Sequence, residues 1–326
     1  MKFVALVLVL SAAAFAAGCG SGGRVARPSA GTVKAALAPA SPLPAATARK
    51  LPPGVFYFEG GPFGAPPPWV SIWRVAAGHE TLVTKGQAGR QVDLFAAARA
   101  GIVVSDNAGS VAGLARWTSA GPQWLHPWSK PGIGIAGQAP SISSDGTIAY
   151  LLAPAGARGT GDTTIWIRRD WDGRDRIVFR ANAARYPLMP LFGPRGELAL
   201  VSIDQATKGH PDVVVLNRND QVIRRLHSGF GRLGLPQTWG SRAPALALRA
   251  SAGQAELLYL NGRRRQLPPG WKPLAWSPSG RALLMMSRTS LGIWSEAKPG
   301  QVATIGPVNR GYGIWQASWL ASSARM

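Results

Sequence analysis

The chain has 326 residues, 46% of them hydrophobic, which is enough to bury a sizeable core. Its 40 glycines, 27 prolines and charged content of only 16% count against a helical bundle and for an all-β fold full of turns. The formal charge of +21 points to anionic partners, and a single cysteine excludes a disulfide framework.

The first residues read as a secretory signal. Lys2 precedes an apolar stretch from Phe3 to Ala17, broken only by Ser11 and ending in small residues. At roughly 15 residues the stretch is shorter than the ~20 that a membrane-spanning helix needs. The run Ala16-Ala17-Gly18-Cys19 resembles the bacterial lipobox, with Ala16 where that motif usually carries leucine. The resemblance implies that residues 1–18 are removed, that Cys19 carries diacylglycerol, and that the chain is held outside the cytoplasm on the cell membrane. From Gly20 to Lys50 the sequence is Gly, Ala, Pro and Ser with Arg24, Arg27, Lys34, Arg49 and Lys50 and no acid. Residues 19–50 are therefore expected to be a lipid anchor and disordered linker, either touching anionic headgroups or simply solvated.

Residues 51–326 are expected to fold as one domain built from repeated hairpins at a period of ~45 residues, the range of propeller blades. First-hairpin turns fall at Ala100-Gly101, Ser144-Asp145-Gly146, Pro194-Arg195-Gly196, a degraded Ser241-Arg242-Ala243, and Pro278-Ser279-Gly280. Each is followed by an apolar run, such as Leu198 to Val201 or Leu283 to Met285. Second hairpins turn at Gly78, Asp172-Gly173, Asn219-Asp220, Asn261-Gly262 and near Gly300, several of them pairs that tolerate positive φ. Two hairpins make a four-stranded blade. Val55 to Phe58 reads as a second strand lacking a first, while Ile314 to Leu320 reads as a first strand lacking the rest. Pairing these ends would close a ring of six blades, starting near residues 54, 91, 136, 187, 234 and 271.

Ser143-Ser144-Asp145-Gly146, Trp276-Ser277-Pro278-Ser279-Gly280 and Ile165-Trp166 with Asp172-Gly173 resemble the TolB-like six-bladed β-propeller family. The resemblance covers residues 51 to 326 and implies blade architecture, not an activity.

Motifs for chemistry are sparse. Gly132 to Gly137 matches GxGxxG, but Pro140 and a strand-like run follow where a helix should cradle a pyrophosphate. Asp170 to Asp175 lacks the glycine position and closing glutamate of an EF-hand loop, and His79-Glu80 lacks the second histidine of a zinc-binding helix. Asp204, His210 and Asp212 form the best constellation for a metal-activated water, with His126 and His227 as neighbours, although they lack metal-ligand spacing. No catalytic residue, metal set or cofactor is predicted.

Charge is the more persistent feature. Export argues against nucleic acid and for anionic lipid, wall polymer or acidic protein. The six loops joining blades carry Arg90, Trp128 with Lys130, Arg185 with Tyr186, Phe230 with Arg232, Trp271 with Lys272, and Arg310 with Tyr312. In a closed ring they would rim one mouth of the channel and suit carboxylates, phosphates or peptide segments. Arg263-Arg264-Arg265 is expected on an outer edge, where charge discourages sheet-to-sheet pairing. The expected protein is thus a monomeric, lipid-anchored, non-catalytic binding module of the envelope. The alternatives are a propeller hydrolase or lyase with a channel-mouth metal, and a structural protein adhering to anionic polymer.

Overall fold

Apolar runs cut short by glycine and proline satisfy their backbone groups by pairing with the runs beside them in the chain. The computed structural model describes residues 41–62, 71–85, 90–108, 111–118, 120–127, 133–134, 140–154, 164–168, 175–180, 185–204, 211–227, 234–240, 245–250 and 254–322. They form an all-β propeller of antiparallel meanders.

The first sheet contains β1 (Val55–Pro62), β2 (Ser71–Ala76) and β3 (His79–Lys85). The second runs through β4 (Arg90–Ala98), β5 (Gly101–Ala108), β6 (Val111–Thr118) and β7 (Gly121–Pro127). In the third, the short β8 (Ile133–Gly134) and β9 (Ser141–Ile142) both pair with β10 (Ile148–Pro154), which continues to β11 (Thr164–Arg168) and β12 (Asp175–Arg180). The fourth holds β13 (Arg185–Phe192), β14 (Leu198–Asp204), β15 (Pro211–Leu216) and β16 (Val222–His227). The fifth holds β17 (Gly234–Trp239), β18 (Ala245–Ala250), β19 (Ala255–Tyr259) and β20 (Arg264–Gln266). The last begins with β21 (Lys272–Trp276), β22 (Ala282–Met286), β23 (Ser290–Ser295) and β24 (Val302–Pro307). Finally β25 (Tyr312–Leu320) returns to β1, with Val55 opposite Leu320 and Phe58 opposite Ala317. Among the described residues this gives five four-stranded sheets and one irregular one.

Face-to-face stacking explains why the second strands are apolar without alternation. On β22, Leu283 and Met285 enter a cluster with Leu257, Trp276 and Trp294, while Leu284 and Met286 enter one with Phe56, Phe58 and Trp319. Alternate residues point to opposite faces, so both faces of the strand are buried against a neighbouring sheet. Each such side chain contributes about 1.5–3 kcal/mol. At the junction of the chain ends, the Trp319 ring lies 4.8 Å from Phe56, and its Nε1 donates to the Pro53 carbonyl at 3.3 Å.

The first-hairpin turns share one hydrogen-bond plan. Gly146 N–H donates to Ser143 O, Gly196 to Gly193 O and Gly280 to Ser277 O, each glycine at positive φ. Asp145 Oδ1 also accepts from the Ser143 hydroxyl and from Thr147 N–H, and the hydroxyl holds its carboxyl below the usual range.

The linker expected to extend to Lys50 is folded from Ser41 onward. A short helix, α1 (Ala45–Ala48), packs against β3 and β24 with Leu43, Thr47 and Ala48 buried. Thr47 Oγ1 donates to Pro307 O at 2.8 Å, Asn309 Nδ2 to Ser41 O at 2.7 Å and Asn309 N–H to Pro42 O at 2.9 Å. Composition gave no sign of this, because small residues order only where a partner surface admits them, as Gly306 admits Thr47. Among the described residues no helix is long and apolar enough to cross a membrane.

Candidate functional site

The first strand of every sheet meets the first strand of the next. β25 lies beside β4, β4 beside β9, β9 beside β13, β13 beside β17, β17 beside β21, and β21 beside β25. Polar side chains join them. Gln316 Oε1 accepts from Phe95 N–H at 3.2 Å, Ser141 Oγ from Phe192 N–H at 2.8 Å and Thr238 Oγ1 from Trp276 N–H at 3.1 Å. These strands define a central channel with two ends.

At the end where the inner strands start, Arg90 opens β4, Arg185 and Tyr186 open β13, Lys272 opens β21, and Arg310 is exposed just before Tyr312 opens β25. The backbone thus brings four of the expected cationic positions to this end. Lys272 is half-buried, and its ammonium donates to the Ile314 carbonyl of β25. Burial, and secondarily the nearby Arg249 guanidinium, lower its pKa to about 8. Arg249, near the end of β18, is half-buried, and its own pKa is lowered by loss of solvent. The sequence reading passed over Arg249, because an arginine at the end of Leu246-Ala247-Leu248 looks like a solvated strand terminus.

Two expected rim aromatics have another role. Trp271 packs over Gly292 and against the cluster containing Leu257 and Trp294, and Tyr312 packs against the cluster of Phe56 and Leu284. Both are half-buried, and their rings help to fill the space between sheets. Trp128, Lys130, Phe230 and Arg232 lie outside the described residues, as does Cys19, and so do the side chains of Arg90, Arg185 and Tyr186.

The opposite end of the channel holds a cavity of about 490 Å³, lined by the ends of the inner strands and by the first-hairpin turns. Phe95, Leu191, Trp239, Trp276 and Trp315 supply its apolar walls, and among the described residues Arg99 is the only charged one on the lining. The sequence search did not anticipate this space. It arises where six strand ends from distant parts of the chain converge, and no local motif marks it.

Of Asp204, His210, Asp212, His126 and His227, singled out in the sequence, Asp212 and His227 are the pair whose side chains are described. His227 Nδ1 lies 2.6 Å from Asp212 Oδ1, across the third and fourth strands of their sheet and off the inner ring. Asp204 ends β14, its side chain and that of His126 are outside the described residues, and His210 lies outside them altogether. Among the described residues no three His, Cys, Asp or Glu side chains gather as a metal site would require. Arg264 and Arg265 fall on β20, the outermost strand of its sheet, and Arg263 sits 4.4 Å over the Tyr259 ring.

No protein-family model matches the chain, and no curated protein does. Among solved structures, the chain is similar to TolB from Acinetobacter baumannii, with 15% identity and a TM-score of 0.60 over 82% of this chain and 67% of that one. It is also similar to a protein of unknown function from Bacteroides caccae, with 15% identity and a TM-score of 0.52 over 82% of this chain and 99% of that one. At such identities the likeness shows the fold alone, and that fold is the β-propeller.

Proposed function

We propose that this chain is a lipid-anchored, extracytoplasmic, six-bladed β-propeller that binds a protein or anionic ligand at the cell envelope and performs no chemistry itself. Six blades are supported by the cycle of inner-strand neighbours, which returns from β21 through β25 to β4. Apolar clusters between successive sheets follow the same cycle, with Val104 and Tyr57 in one and Leu284 and Phe58 in another. The anchor rests on Ala16-Ala17-Gly18-Cys19 and the apolar stretch before it.

The observation that carries the binding role is the cationic start of the inner strands, at Arg90, Arg185 and Lys272 with Arg310 beside them. Cations gathered at one mouth of a low-dielectric ring raise the local concentration of anions and orient them. The test is cosedimentation of the mature domain with anionic and neutral vesicles and with wall polymer. Binding to an anionic surface that falls with Arg185→Ala and Arg310→Ala supports a defined face. Loss with salt alone, indifferent to both substitutions, indicates nonspecific adhesion. Membrane release by Cys19→Ser tests the anchor.

The Asp212–His227 contact favours a second reading, a hydrolase or lyase. Metal-dependent hydrolysis by the purified protein that disappears with Asp204→Ala would replace the binding reading with that one.

A further inference from the structure

The cavity at the far end of the channel, opposite the cationic strand starts, is lined by residues of all six inner strands. Its 490 Å³ falls within the ~300–1,000 Å³ of small-molecule sites. Taking β25, β4, β9, β13, β17 and β21 in order around the axis, every second strand contributes a polar side chain to the lining: Gln316, Ser141 and Thr238. Each commits an oxygen to the backbone N–H of the next strand, at Phe95, Phe192 and Trp276 respectively. Engaged as acceptors, the hydroxyls and the amide keep their own hydrogens for donation.

Flat rings and further donors converge on the same space. The Nε1–H groups of Trp239 and Trp276, lining residues only 7% and 5% exposed, have no hydrogen-bond partner. Trp315 is the extra residue of a β-bulge, since Gln316 pairs with Glu59 and Ile314 with Gly60, and it joins the same lining. With Phe95, Trp239 and Trp276 it offers aromatic surface to an apolar partner. Arg99, exposed just beyond the end of β4, adds a guanidinium fork that matches a carboxylate. One carboxylate cannot also reach donors spread over three alternate strands. Oxygens distributed around the edge of a ring can. A pyranose bearing a carboxylate combines the three features: apolar C–H faces for the aromatic walls, hydroxyl oxygens around its edge, and one anionic group.

We propose that this cavity binds an acidic sugar, a pyranose carrying one carboxylate. The carboxylate pairs with Arg99, the ring lies against the aromatic walls, and its oxygens accept from Ser141, Thr238 and Gln316. The site lies at the end opposite the cationic mouth and stands independently of the anion-binding reading made there.

The experiment titrates the purified full chain by calorimetry with glucuronate, glucose and phenylacetate. Glucuronate is expected to bind saturably. Glucose, which lacks the carboxylate, and phenylacetate, which lacks the hydroxyls, are each expected to bind about tenfold or more weakly. Arg99→Gln, at an exposed position, should bring glucuronate down to the affinity of glucose and leave glucose unchanged. Trp315→Ala and Thr238→Ala should weaken both sugars, whereas Thr238→Ser, which keeps the acceptor and the donor, should retain them, and thermal melts confirm that each variant folds. Phenylacetate binding as tightly as glucuronate overturns the sugar, because the ring of donors then contributes nothing. Glucuronate binding that ignores Arg99→Gln and Trp315→Ala but falls with Arg185→Ala and Arg310→Ala overturns the cavity site and leaves the cationic mouth standing. No saturable glucuronate binding up to about 10 mM overturns the site outright, whatever the mouth binds.

Discussion

Lys272 carries a stability cost that pH removes. Its pKa is about 8 in the folded protein against 10.5 for the free side chain, because burial and the Arg249 charge disfavour the ammonium. At neutral pH the group is charged in both states, so the folded protein bears the whole penalty, about 3 kcal/mol. Between pH 8 and 10.5 the unfolded chain holds the proton that the folded chain has released. Stability from this group therefore rises with pH across that window, and the penalty is fully present below it. Replacing Lys272 with methionine keeps the length and deletes the titration. It also leaves the Ile314 carbonyl without its donor, a loss that does not vary with pH. Urea unfolding of both proteins at pH 7 and pH 10 isolates the effect as a double difference. The wild type is expected to gain roughly 2–3 kcal/mol more than the variant between the two pH values. Parallel changes, within about 0.5 kcal/mol, would show that the ammonium is solvated and that the like-charge pair does not exist.

Other expectations are equally direct. Trp319→Ala removes the ring packed on Phe56 and the bond to Pro53 at the junction of the chain ends, and should cost about 3–5 kcal/mol in thermal or chemical unfolding. A loss below about 1 kcal/mol would mean that the β1–β25 junction is not needed for the fold. Gly280→Ala places a side chain at φ 64° and should cost about 1–2 kcal/mol, whereas Ser279→Ala in the same turn, which loses only a half-exposed hydroxyl contact with Ser277, should cost less than about 1 kcal/mol. Thr47→Val deletes the hydroxyl bound to Pro307 and should cost about 1 kcal/mol, with faster amide exchange at the chain start. An unchanged melting temperature and exchange rate would place α1 off the propeller in solution.

The strands were legible because each second strand is buried on both faces. Leu283 to Met286 and Val213 to Leu216 needed only length and apolar content to be found, since stacking between sheets imposes no polar alternation. The turns were legible because one residue type serves one geometry, as Gly146 and Gly280 do at positive φ. The pairing of Ile314 to Leu320 with Val55 to Phe58 followed from two incomplete repeats. What escaped the sequence depends on surfaces supplied from elsewhere. Leu43 and Ala48 look like tether residues until β3 and β24 stand beside them. Arg249 gains its meaning from Lys272 on the next sheet, and the 490 Å³ cavity from six strand ends. The packing of Trp271 and Tyr312 on the clusters between sheets was likewise not legible, because it depends on strands distant in the chain.

Hydrogen–deuterium exchange of the lipidated protein on phosphatidylglycerol vesicles tests the central claim, that one cationic face of the propeller engages an anionic surface. Protection is expected at Trp271 to Leu274 and Asn309 to Ile314, with the turns at Ser143 to Gly146 and Gly193 to Gly196 exchanging as they do in solution. Protection at those turns instead, or none that distinguishes phosphatidylglycerol from neutral lipid, would contradict it.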